Sequence, residues 1–120
     1  MKVMKHGEVG ARDVSEMPIF DGKVTQQTFV DGATSEYYRF TVVSFQAGAS
    51  NRFHTHTCDQ ILLGTEGNGF VATEDVEEAM ERGDVAFIPA GEKHRHGAQP
   101  GSDFSHVSLT TPDGKTTVLG

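Results

Sequence analysis

Short β-forming stretches follow one another along the whole chain, each closed by a glycine-bearing or polar turn. No stretch sustains a helical repeat. Residues 24–30 end at Asp31-Gly32, and residues 37–46 (YYRFTVVSFQ) are rich in β-branched and aromatic side chains and end at Gly48. Residues 52–56, 60–63, 85–88, 94–98 and 104–110 read as further strands, with 85–88 buried because it carries no charge. Residues 70–73 and 76–80 read as a hairpin around Glu74-Asp75. Residues 75–82 have a helical competitor reading, but Gly83-Asp84 and the preceding strand favour the hairpin. About eight to ten short strands spaced in this way predict an all-β sandwich or barrel closed on itself.

At 120 residues the chain has the length of a single domain. Residues 1–22, broken by Gly7, Gly10, Pro18 and Gly22, form an irregular lead-in with one edge strand. The barrel core spans about 24–111, and 112–120 is a polar tail. Apolar residues are 36% of the chain. That is low, but a small barrel tolerates it because half of each strand faces solvent or a polar cavity. The net charge of −7, without a Lys/Arg cluster, excludes nucleic acids and anionic membranes as partners. No apolar run approaches the ~20 residues that cross a bilayer, and residues 1–14 lack the apolar segment of a secretory signal. A cytoplasmic location is expected. The single cysteine, Cys58, excludes an internal disulfide and is read as unreactive.

The histidines carry the functional information. Five of the six (His54, His56, His94, His96 and His106) fall late in the chain, and four of them make two H-x-H pairs. Residues i and i+2 of a strand point to the same face, about 7 Å apart at the α-carbons. His54 and His56 therefore converge on one metal if their face is the interior. Imidazole suits zinc, nickel, iron, copper and manganese. His96 shares a face with His94 in a regular strand, so it looks into the same cavity. There a nearby cation should keep it neutral and fit to act as a general base.

Gly48-x5-His54-x-His56-x3-Gln60-x6-Gly67 resembles the first motif of the cupin superfamily, with Gln60 where many cupins carry Glu. Gly83-x5-Pro89-x-Gly91-x2-His94 resembles the second, except that Ala98 stands where Asn is usual. HTHTCDQ, IPAGEKHRHGAQP and SHVSL are similar to small single-domain cupins with His-His-Gln-His ligands. That group includes manganese-dependent hydroxynitrile lyases and cupins related to carboxymuconolactone decarboxylase. The resemblance implies a cupin double-stranded β-helix (a jelly-roll-like barrel) and metal ligation by His54, His56, Gln60 and His94. It also places His96 and His106 at the active site and Thr41 and Val43 on the substrate pocket. Thr57, Arg95 and Thr110 depart from the lyase-like pattern, at positions that bear on substrate rather than metal. Small cupins usually pair, so a homodimer is expected, with the N-terminal segment or the 112–120 tail at its interface.

Arg52 has the parity of His54 and is a candidate for binding a substrate carboxylate. The acidic run 74–81 reads as a solvated outer face. Three imidazoles and the neutral amide of Gln60 leave the full charge on a divalent ion (Mn, Ni, Zn or Fe). Such a centre stabilises a developing oxyanion and disfavours oxidation to the trivalent state. The reading is an enzyme that uses the metal as Lewis acid on a small organic substrate, of lyase, decarboxylase or isomerase type. A metal-dependent dioxygenase and a non-catalytic small-ligand or sugar-binding barrel are the alternatives.

Overall fold

Alternation along three strands sets the architecture. Thr41, Val43 and Phe45 turn inward from one strand, Gln60 and Leu62 from a second, and Phe104 and His106 from a third, while their neighbours face out. The computed structural model describes residues 1–120. After a short 3₁₀ turn at His6–Glu8, the chain forms β1 (Arg12–Asp13), β2 (Phe20–Asp21), β3 (Val24–Val30), β4 (Arg39–Phe45), β5 (Ser50–Asn51) and β6 (His54–His56). It continues through β7 (Gln60–Gly67), β8 (Gly69–Ala72), β9 (Glu77–Met80), β10 (Val85–Ile88), β11 (Arg95–Ala98), β12 (Phe104–Thr110) and β13 (Thr116–Val118). A six-stranded sheet in the order β1-β3-β4-β12-β7-β10 faces a five-stranded sheet, β2-β5-β11-β8-β9, and β13 and β6 form a separate pair. Every pairing is antiparallel. The all-β barrel expected from the sequence is the fold observed.

The interior changes character along the strands. At one end Val24, Phe45, Leu62, Met80, Ile88 and Phe104 pack into a dry core. Further along β12, Phe104 gives way to His106 and then Ser108, and along β4 Phe45 gives way to Val43 and Thr41. The His106 ring rests on this core, its centroid 5.6 Å from that of Phe45 and 5.7 Å from that of Phe104. The apolar core is thus the floor on which a polar cavity stands.

Two glycines make that cavity possible. Gly91, at a φ of 85°, turns the chain after Pro89, and its N–H donates to the carbonyl of His56. Gly97 lets β11 press on β5, since a Cβ there would lie 2.5 Å from the Ala49 carbonyl oxygen. That approach puts Asn51 beside His96.

Several element boundaries differ from expectation for identifiable reasons. The strand expected at 60–63 continues through Gly64 to Gly67, because Gly64 is buried against the backbone of Glu81 and packs as a strand residue. Residues 85–88 form an edge strand rather than a buried one. Val85 is 64% and Phe87 60% exposed, and they join Ile61 and Leu63 in an apolar block on the outer face of the larger sheet. The expected strand 52–56 splits, leaving only His54–His56 as β6. The tail is not free: Thr116, Thr117 and Val118 pair with His56, Thr55 and His54. The hairpin around Glu74-Asp75 forms as β8 and β9.

Candidate metal centre

Each candidate ligand is delivered by backbone pairing. His54 and His56 lie two apart on β6, and Gln60 opens β7. His94 sits just ahead of β11, bridged to His54 by two reciprocal backbone hydrogen bonds of 3.0 and 3.1 Å. The result is a cluster in which the ligand atoms of His54, His56 and His94 all lie within 4.8 Å of one another. Gln60 Oε1 stands 3.0 Å from His94 Nε2. His54, Gln60 and His94 are buried and His56 is partly so.

The hydrogen bonds select the tautomer a metal requires. His54 Nδ1–H donates to the carbonyl of Arg52 at 2.6 Å, and His94 Nδ1–H donates to the carbonyl of Glu92 at 2.8 Å. His56 Nδ1 meets the Thr116 hydroxyl at 2.8 Å. The carbonyl acceptors leave Nε2 of His54 and His94 as lone pairs aimed inward, and with the Thr116 hydroxyl accepting from Nδ1–H the same holds for His56, the arrangement in which the outer nitrogen orients a metal-binding histidine. Two observations then ask for a cation. His56 Nε2 is buried with no hydrogen-bond partner. In the orientation in which Gln60 Nε2 donates to Ser108 Oγ at 2.9 Å, Oε1 faces the His94 lone pair. Two acceptors at that distance repel unless a positive charge lies between them. These residues fit a divalent ion, and the donor set of imidazole and amide oxygen suits the late first-row metals.

A second buried pair lies behind the first. His96 Nδ1 and His106 Nε2 are 3.0 Å apart, and Asn51 Nδ2 is 3.0 Å from His96 Nε2. Asn51 Oδ1 accepts the backbone N–H of His96 at 2.8 Å, which fixes the amide nitrogen as the donor to the ring. The protons therefore follow one direction. Asn51 donates to His96 Nε2, His96 Nδ1–H donates to His106 Nε2, and His106 Nδ1–H donates to the Val107 carbonyl at 3.2 Å. Both rings are neutral in this chain, with one acceptor nitrogen each.

The cavity in front of these groups has a volume of about 450 Å³. Thr41, Val43, His54, His56, Gln60, His96 and His106 line it. His94 holds its place through Gln60 and His54. Arg52 corrects the sequence reading: it is exposed and outside the cavity wall, because the strand breaks at Arg52 and Phe53 and the parity with His54 is lost. Only its carbonyl oxygen serves the site. Asn51, Ser108 and Thr116, which orient His96, Gln60 and His56, were not anticipated, nor were the arginines at the cavity, Arg12 and Arg39. Cys58 also borders the cavity.

Burial dominates the electrostatics. It lowers the pKa of His54, His56 and His106 to about 4, with neighbouring imidazoles adding to the effect at His54 and His56. His94 is lowered and His96 well lowered, again mainly by burial. These groups stay neutral in the folded state while unfolded histidines take up protons near pH 6.5. The unfolded chain therefore binds more protons between pH 6.5 and 4, and stability present above pH 6.5 is lost as pH falls through that window. For the enclosed His106 alone the loss is about 3 kcal/mol. Metal-stripped protein followed by circular dichroism should melt roughly 10 °C lower at pH 4.5 than at pH 7; an unchanged Tm contradicts this account of the buried rings.

Comparison with known proteins fits this geometry. An (R)-mandelonitrile lyase from Granulicella tundricola is 39% identical over 68 residues, which cover 56% of this chain and 52% of that protein. The chain thus spans about half the length of the curated relative it matches. A cupin-like protein from Thermotoga maritima superposes with a TM-score of 0.82 at 28% identity, over 100% of this chain and 90% of its own. The polyketide cyclase RemF from Streptomyces resistomycificus shares the fold, with a TM-score of 0.88 at 19% identity over 100% and 86% of the two chains. Residues 41–110, from the cavity-facing Thr41 to the end of β12, match the profile described as the cupin domain, and the chain is accordingly a member of the cupin family.

Proposed function

We propose that this cupin is a metal-dependent enzyme of lyase or isomerase type. It would act beside a hydroxyl or carbonyl group of a small organic molecule. The observation that carries this reading is the pairing of two buried groups on one cavity: a ligand set with inward lone pairs, and a neutral histidine relay whose acceptor end, His96 Nε2, is held by the Asn51 amide. When bound, a divalent ion held by His54, His56, His94 and Gln60 supplies Lewis acidity, undiminished because none of the four ligands is anionic.

The chain's own residues account for the proton. His96 Nε2 holds a lone pair that Asn51 now engages, and a substrate hydroxyl in the cavity can take the amide's place as donor. A proton accepted at His96 Nε2 lets the Nδ1 proton pass to His106 Nε2 over 3.0 Å. Positive charge then rests on His106, away from the ligand cluster. His106 still donates to the Val107 carbonyl, which stabilises the charged ring. In a cleavage reaction the electrons of the broken bond leave with the departing group as the hydroxyl becomes a carbonyl. The relay returns the proton to that group or to water. The resemblance to the (R)-mandelonitrile lyase supports this branch and makes mandelonitrile, an α-hydroxynitrile, a suitable first probe.

The test is turnover of metal-loaded protein in the absence of oxygen. With mandelonitrile and a panel of small hydroxy and keto compounds, product should form at the same rate with and without oxygen. Oxygen consumed in proportion to product would reject the reading in favour of an oxygenase.

A further inference from the structure

The charge of the cavity wall is opposite to that of the protein. The chain carries 17 Asp and Glu against 10 Lys and Arg. Yet no carboxylate lines the cavity, and the only charged side chains that do are Arg12 and Arg39. Neither belongs to an ion pair; the two in the structure join Lys23 to Asp13 and Lys93 to Glu74.

Register places both arginines on the inner side of the larger sheet. Arg39 lies two residues before Thr41 on β4, opposite Thr110 on β12, and so has the inward parity of Thr41 at the cavity mouth. Arg12 is opposite Gln26, which is opposite Val43, which is opposite His106, so a single row across the sheet runs from guanidinium to relay. Arg12 also borders a shallow dip containing Asp13 and Glu16, but Asp13 is engaged with Lys23. Arg39 borders the cavity and not this dip.

We infer that the substrate is an anion, carrying a carboxylate that Arg39, assisted by Arg12, holds at the mouth while its hydroxyl or carbonyl end reaches the histidines. This rests on the cavity being the substrate site proposed above, and it narrows the substrate class. Arg12 and Arg39 are solvent-exposed at the mouth, without carboxylate partners, on a cavity from which every acid of an acidic chain is absent. A carboxylate matches the paired N–H donors of arginine and is drawn inward by the local field.

The experiment compares mandelate with its neutral isostere mandelamide. Binding to zinc-loaded protein is read by ligand-observed NMR, in the wild type and in Arg39→Gln, Arg12→Gln and the double variant, with zinc content measured on each sample. Wild-type protein should bind mandelate at least about tenfold more tightly than the amide. Arg39→Gln should remove most of that preference at unchanged zinc content, and the double variant the remainder. Equal binding of acid and amide by the wild type overturns the inference, as does a preference that survives in the double variant and therefore belongs to the metal. Turnover of a neutral substrate alongside either result would leave the proposed enzyme standing and sink only its anionic substrate. Absence of bound zinc in the wild type would instead reject the metal reading.

Discussion

Replacing His94 with alanine is expected to lower bound metal at least about 100-fold while leaving the barrel folded. The substitution removes one of three inward Nε2 lone pairs and the group facing Gln60 Oε1 across 3.0 Å. It spares the two hydrogen bonds that tie residue 94 to His54, because both are made by backbone atoms. The Nδ1–H bond to the Glu92 carbonyl is lost, but that residue lies on an exposed turn where water can take its place. Metal per chain, measured by plasma mass spectrometry, should therefore collapse while the far-ultraviolet dichroism stays that of the wild type. Retained metal would remove His94 from the ligand set.

His96→Gln should give the opposite pattern. Metal content stays at the wild-type level, and kcat on any substrate that the proposed activity turns over falls by about 10²–10⁴. His96 is buried, and its backbone N–H is held by Asn51 whatever the side chain. Glutamine keeps a polar group beside Asn51 and His106 but cannot accept and release a proton. A purely structural role predicts something else: a lower Tm with kcat preserved in the folded fraction. A fall in kcat with KM and Tm near their wild-type values identifies His96 with the proton transfer.

Much of the fold was legible because the sequence pattern and the burial pattern have the same period. Thr41, Val43 and Phe45 alternate with outward residues along β4 as the sequence does. The H-x-H pair of β6 stays on one side because that three-residue strand is regular. Parity failed where the strand itself stops. Arg52 is two residues from His54, but the break between β5 and β6 turns it to solvent. The uncharged run at β10 is exposed rather than buried because edge position, which leaves Phe87 60% exposed, is a property of sheet order and not of composition.

The supporting residues of the site were hidden for a related reason. Asn51, Ser108 and Thr116 are ordinary polar residues in short strands, and their importance comes from what lies across the sheet from them. Thr116 reaches His56 over a sequence separation of 60 only because β13 folds back on β6. Arg12 and Arg39 likewise acquire meaning from the row they occupy and from the absence of acids around them. No spacing rule within one segment reports such long-range pairings.

The most direct measurement is a crystal structure of manganese- or zinc-loaded protein with data collected at that metal's absorption edge. One anomalous peak per chain is predicted, about 2.0–2.2 Å from the Nε2 atoms of His54, His56 and His94 and from Oε1 of Gln60. A fully loaded crystal whose only peaks lie elsewhere, or whose four side chains point apart, would contradict the account.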